Sequence, residues 1–120
     1  DKMNKLTIYH NPRCSKSRQS LQIIKDHGMK PTVVEYLKTP LDKFELENIS
    51  RLLTKRPKEF VRKNETDFKE NNINDIIEND TELINKMVNF PKIIERPIIT
   101  SGDKAVIGRP PENVIKLINA

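Results

Sequence analysis

One cysteine stands among the 120 residues, and its neighbours are of the kinds that turn a thiol into a nucleophile. It lies in the string His10-Asn11-Pro12-Arg13-Cys14-Ser15-Lys16-Ser17-Arg18. Only the thiolate attacks and binds, so reactivity depends on lowering the thiol pKa. A helix N-terminus supplies free amides and a partial positive charge, worth roughly 0.3 to 1 kcal/mol. One pKa unit corresponds to about 1.4 kcal/mol, so a terminus alone cannot move a thiol by several units and further donors are required. Ser17, one turn into a helix opening after Cys14, is expected to bring a hydroxyl and an amide to the sulfur. His10 and Arg18 flank the cysteine four residues away on either side, and Arg13 and Lys16 add positive charge.

Two familiar thiol chemistries do not fit. A phosphatase loop needs an arginine where this chain has Ser20, and a dithiol oxidoreductase needs a second cysteine where it has Ser17. What remains is a C-x-x-S site, with electrons for any reduction drawn from outside the chain. A lone cysteine makes no internal disulfide and suits a reducing cytoplasm, the localisation expected here. The start of the chain, Asp1 to Tyr9, has no apolar run of the length a signal peptide needs; Asp1 and Lys2 carry no weight in this reading. No metal is called for.

The elements that must position these residues follow from periodicity and punctuation. Leu6 to Tyr9 reads as a strand that Pro12 ends, since proline lacks the amide hydrogen of a ladder. From Ser15 the pattern is helical, with Leu21 and Ile24 on one face, His27 near the end and Gly28 as C-terminal cap. Thr32 to Tyr36 is β-branched and reads as a second strand, followed by a Thr39-Pro40 turn. Asp42 with Glu45 resembles a capping box, opening a helix with Phe44, Ile49, Leu52 and Leu53 as its stripe. Pro57 is expected to open a short helix through Val61. Residues 64–80 are polar, with weak helical signals near Phe68 and Ile76. Thr81 is expected to cap a helix carrying Leu83, Ile84, Met87 and Val88, stopped by Asn89-Phe90-Pro91. Pro97 to Thr100 and Lys104 to Ile107 make a hairpin around Ser-Gly-Asp. Pro111 and Glu112 start a last helix with Val114, Leu117 and Ile118 inward. A strand-helix-strand start followed by helices, a hairpin and a helix predicts one α/β domain over 1–120. A thioredoxin-like mixed sheet, built from a right-handed βαβ unit (5–38) and the hairpin with its helix (91–120), fits best. A helical insertion (41–90) separates these halves. No repeat or low-complexity segment is visible.

The composition limits the partners. At 35% hydrophobic and 32% charged residues the chain is polar but periodic enough to fold. The net charge of +5 invites an anionic partner. Nucleic acid is a poor one, because 22 basic residues are interspersed with 17 acidic ones and only four phenylalanines and two tyrosines offer stacking surface. No run approaches the roughly 18 apolar residues of a membrane span. A soluble monomer is expected, without nucleic acid or membrane partners.

His10-x-x-x-Cys14-x-x-x-Arg18 after a short strand resembles the signature of the glutaredoxin-coupled arsenate reductases, the ArsC-like proteins. The likeness runs from Lys5 to Ile118. Arg62 in Phe-Val-Arg-Lys-Asn, Arg96 in Glu-Arg-Pro-Ile-Ile and Arg109 in Ile-Gly-Arg-Pro-Pro-Glu fall where that family carries its oxyanion-binding arginines, and planar guanidinium forks suit a multiply charged oxyanion. The resemblance implies that Cys14 attacks arsenate, that glutathione then adds as co-substrate, and that glutaredoxin resolves the product with release of arsenite, no cofactor being bound. Ser17 would assist thiolate formation with His10 beside it; Arg18 and Asn11 join the three arginines around the substrate. It also implies a cis Arg96-Pro97 peptide that brings Arg96 beside Cys14. The Asn-Pro-Arg-Cys-Ser-Lys-Ser-Arg string resembles a branch named by similarity, in which a different oxyanion or thiol substrate is open.

Two other readings share the fold. Spx-type regulators are non-enzymatic and bind RNA polymerase, but their redox members carry cysteine where this chain has Ser17. A monothiol, glutathione-dependent thiol transferase would use a C-x-x-S site but gives the three arginine motifs no place.

Overall fold

The computed structural model describes residues 5–119; Asp1 and Lys2 lie outside them. The chain packs as two compact units, one holding the residues through Thr39 and those from Arg96 onward, the other Pro40–Glu95.

The first unit carries a four-stranded sheet in the order β2-β1-β3-β4, from β1 (Leu6–Tyr9), β2 (Thr32–Val34), β3 (Ile98–Ser101) and β4 (Lys104–Ile107). β1 and β2 are parallel, joined by α1 (Ser15–Asp26), while β1-β3 and β3-β4 are antiparallel. This is the mixed sheet of a thioredoxin-like fold. Ile8 faces Ile99 and Ile99 faces Val106, so one side of the pleat is a continuous apolar row. Leu6, Ile8 and Ile99 are buried there with Ile24 of α1 and with Val114 and Leu117 of α5 (Val114–Ile118). α1 stops where the Gly28 amide donates to the Lys25 carbonyl and the Met29 amide to that of Ile24. This Schellman arrangement needs the left-handed φ of +76° that glycine adopts freely. The hairpin turns on Gly102, at φ +58°, the first central residue of a two-residue loop.

The second unit is helical: α2 (Lys43–Leu53), α3 (Thr66–Glu70) and α4 (Asp80–Asn89), with short 3-10 turns between and after them. α2 starts with the expected capping box, the Asp42 carboxylate accepting from the Glu45 amide at 2.8 Å and Glu45 from the Asp42 amide at 3.1 Å. Leu46, Ile49, Leu53, Phe60, Leu83, Ile84 and Met87 are among its buried side chains. An antiparallel bridge pairs Val61 with Ile94, and the Glu95 amide donates to the Phe60 carbonyl at 2.9 Å.

Several local expectations are corrected. The second strand ends at Val34 rather than Tyr36, because the Lys38 and Thr39 amides both bond the Glu35 carbonyl and curl the chain into a turn. Phe44 is exposed with Lys43 over its ring, and Leu46 takes the inward place. The helix at Pro57 is one 3-10 turn, Pro57–Glu59, and does not reach Val61, which is drawn into the bridge. α4 is capped by Asn79 rather than Thr81: the Asn79 side chain accepts from the Glu82 amide at 3.0 Å, leaving Thr81 inside the first turn. The last helix begins as a 3-10 turn, Pro111–Asn113, before α5. Among the described residues no helix is long and apolar enough to cross a membrane.

Candidate active site

Cys14 is the N-cap residue of α1, in extended backbone (φ −95°, ψ 123°), and its side chain is half-buried. Asn11 builds the loop that delivers it. The Asn11 side-chain oxygen accepts the Arg13 amide at 3.0 Å, and its carbonyl accepts the Cys14 amide, also at 3.0 Å. This local turn replaces ladder bonds that Pro12 cannot make. The helix begins at once, with the Arg18 amide donating to the Cys14 carbonyl and no acidic residue in its first turn. No Asp or Glu occurs from Lys5 to Lys25.

Opposed forces act on the sulfur. Burial is the largest single influence and pushes the thiol up; the Ser17 amide, the Arg96 side chain, the Lys16 amide and the Arg109 charge together outweigh it, leaving the thiol below its ordinary value. Arg109 Nη2 stands 3.4 Å from Sγ. Alkylation of Cys14 by iodoacetamide is therefore expected to reach half its plateau rate at a lower pH than a free cysteine. The same linkage fixes the sign for stability. A group whose folded pKa is depressed contributes stability in full above its unfolded pKa and loses it as pH falls through the folded pKa.

Arg109 is held by backbone on both sides. Its Nε donates to the Arg96 carbonyl at 2.9 Å, and the Asn113 side-chain amide donates to the carbonyls of Ile107 (3.1 Å) and Arg109 (3.0 Å). The Gly108 amide donates to the Pro97 carbonyl at 2.8 Å. The Arg96–Pro97 and Arg109–Pro110 peptides are both cis. The two arginine-bearing segments are thus bound to each other as well as facing one sulfur. Gly108 is the tight point: a Cβ there would stand 2.7 Å from Pro97 Cγ and press on Ser20 Oγ. Gly108→Ala is expected to cost about 1 to 3 kcal/mol by overpacking, read as a lower midpoint in thermal unfolding.

His10 and Ser17 are buried. His10 Nδ1 lies 2.6 Å from Ser17 Oγ, and the Asn11 amide donates to the same oxygen at 3.1 Å. The expectation that both the hydroxyl and the amide of Ser17 reach the sulfur is corrected: the hydroxyl is engaged by His10 and Asn11, Cys14 makes no side-chain capping hydrogen bond, and the Ser17 amide acts on the thiol by lowering its pKa. Burial, the largest influence, pushes the His10 pKa down; Glu35 opposes it, while Arg18 and Lys25 act with it.

The remaining candidates have other neighbours. Arg18 is exposed and donates to the Pro12 carbonyl at 2.9 Å, fastening the loop. Arg62 belongs to the second unit, where its Nε meets Glu65 at 3.2 Å and its Nη1 meets Glu95 at 2.8 Å. Burial lowers its pKa, but these two carboxylates outweigh that and raise it. Sequence reasoning missed Gly108 and Asn113. Gly108 stands inside the Arg109 motif and Asn113 directly after it, but their hydrogen-bond partners are backbone carbonyls, which no residue pattern marks.

Fold and site together define a thioredoxin-like protein with one activated thiol faced by guanidinium groups. The chain belongs to the ArsC family, whose profile matches residues 9–117. It is 45% identical over 112 residues to the uncharacterized protein YfgD of Escherichia coli strain K12, covering 92% of this chain and 94% of that protein. To the arsenate reductase of Haemophilus influenzae it is 36% identical, over 92% of this chain and 97% of the relative. Among solved structures, the arsenate reductase from Vibrio cholerae superposes with a TM-score of 0.90 at 38% identity, covering 94% of this chain and 97% of that one.

Proposed function

We propose that this protein reduces arsenate to arsenite in the cytoplasm, as a monomer, with Cys14 as its only nucleophile and glutathione and glutaredoxin as external reductants. The observation that carries the reading is the position of the Arg109 guanidinium, 3.4 Å from the Cys14 sulfur, with the Arg96 side chain also lowering the thiol pKa. Guanidinium groups there serve twice: they favour the thiolate, and they neutralise the charge of an incoming oxyanion that would otherwise repel it. The names and lengths of the relatives support the substrate.

In this scheme the Cys14 sulfur attacks arsenic and an arsenate oxygen leaves as water, giving a sulfur-arsenic bond. Glutathione adds at the arsenic. Two thiol sulfurs end as a disulfide, and the two electrons they give up convert arsenate to arsenite. Glutaredoxin removes the glutathione and regenerates the Cys14 thiol. No second cysteine in the chain offers an internal route. Arg96 and Arg109 hold the oxyanion, Asn11 and Arg18 hold the loop beneath it, and Arg62 is the third anion-binding arginine by resemblance, its guanidinium oriented by Glu65 and Glu95.

The test is arsenate-dependent oxidation of NADPH in an assay coupled through glutathione, glutaredoxin and glutathione reductase. Turnover that needs both thiol reductants supports the proposal. Turnover of a glutathione mixed disulfide without any response to arsenate overturns it.

A further inference from the structure

A serine hydroxyl has one proton to give and two lone pairs with which to accept. At Ser17 the Asn11 amide, 3.1 Å away, is a donor and uses one lone pair. The other neighbour is His10 Nδ1 at 2.6 Å. Among the described residues this oxygen makes no hydrogen bond to a carbonyl, carboxylate or sulfur. Ser17 is fully buried, and a buried hydroxyl proton without an acceptor is costly. The proton therefore goes to Nδ1, and a ring nitrogen that accepts carries no proton of its own.

We propose that His10 and Ser17 are positioning residues: neutral His10, with its hydrogen on Nε2, accepts the Ser17 hydroxyl proton, and residue 17 acts on the sulfur through its backbone amide alone. The pair clasps three segments together. His10 directly follows β1 and is tied to β2 by its amide bond to the Val34 carbonyl at 2.8 Å; Ser17 is in the first turn of α1; Asn11, bonded to the same hydroxyl, sets the amides of Arg13 and Cys14. The aim of Sγ at the free amides of α1 depends on all three.

The alternative is a relay in which His10 donates from Nδ1 to the hydroxyl and the hydroxyl donates to the thiolate. It requires a proton on Nδ1. Arg18, Lys25 and burial disfavour the cationic ring, with Glu35 alone opposing them, and a neutral ring protonated on Nδ1 leaves the Ser17 hydroxyl proton without a hydrogen-bond acceptor.

The inference rests on Cys14 being the nucleophile of the proposed reaction, but its test uses no arsenate. Nitrogen-15 spectra of the full chain, labelled at histidine and recorded near neutral pH, are expected to show His10 with a protonated Nε2 and a bare, hydrogen-bonded Nδ1. A proton on Nδ1, in a neutral or a cationic ring, overturns the clasp. A second readout is the pH profile of Cys14 alkylation in Ser17→Ala, which keeps the amide. A clasp predicts an upward midpoint shift of less than about one unit, whereas a lost direct donor to a thiolate moves it by roughly one to two. The larger shift rejects the proposal. If Ser17→Ala does not fold, the wild-type spectrum still decides. An enzyme inert to arsenate would leave the clasp intact, and a Nδ1 proton would leave the reductase intact.

Discussion

Cys14→Ser is expected to abolish arsenate-dependent NADPH oxidation, leaving the rate of the assay without enzyme. A serine hydroxyl stays protonated where the thiol ionises, and the arginines and amides that lower a thiol pKa cannot supply the difference. Where a nucleophile and its activating group work as a unit, removing the nucleophile costs on the order of 10⁶-fold. The substitution is nearly isosteric and the side chain half-buried, so thermal unfolding should move little. An unchanged midpoint with no turnover separates lost chemistry from lost fold. Persistent turnover would mean that another group attacks arsenic, and the proposed mechanism would fail.

The second large effect belongs to Arg109. Its guanidinium uses two edges at once, Nε on the Arg96 carbonyl and Nη2 on the sulfur. An ammonium is a point charge on a flexible stem and cannot reproduce that fork. Arg109→Lys is therefore expected to behave nearly as badly as Arg109→Ala, each lowering kcat/KM for arsenate by about 10²- to 10³-fold, the cost of removing one preorganised donor to developing charge. Steady-state kinetics in the coupled assay measures this. If lysine restores most of the rate, charge alone suffices and the fork is irrelevant.

Much of the site was legible because its signals are local. The helix start at Ser15, the break at Pro12 and the cysteine between them follow from residue types a few positions apart, as do the Asp42-Glu45 box and the Gly102 turn. Errors arose where a long-range partner outweighed a local preference. The bridge to Ile94 drew Val61 out of the helix that Pro57 opens. Thr81 is a good cap in isolation, but Asn79 has its oxygen on the Glu82 amide. Ser17 shows the same limit within one turn. Its spacing from Cys14 places it near the sulfur, yet the His10 ring and the Asn11 amide, brought in by the end of β1, claim the hydroxyl.

Asn113 lies at the entrance to the C-terminal helix and grips the carbonyls on either side of Gly108. On the proposed reading, anion affinity thereby depends on the docking of α5, whose Val114 and Leu117 are buried with residues of the sheet. Fraying of that last helix releases the Arg109 backbone while leaving the amides of Lys16 and Ser17 in place on α1. On the proposed reading, a helix without any reacting group therefore tunes how tightly the anion is gripped, while the amides that lower the thiol pKa belong to a different helix.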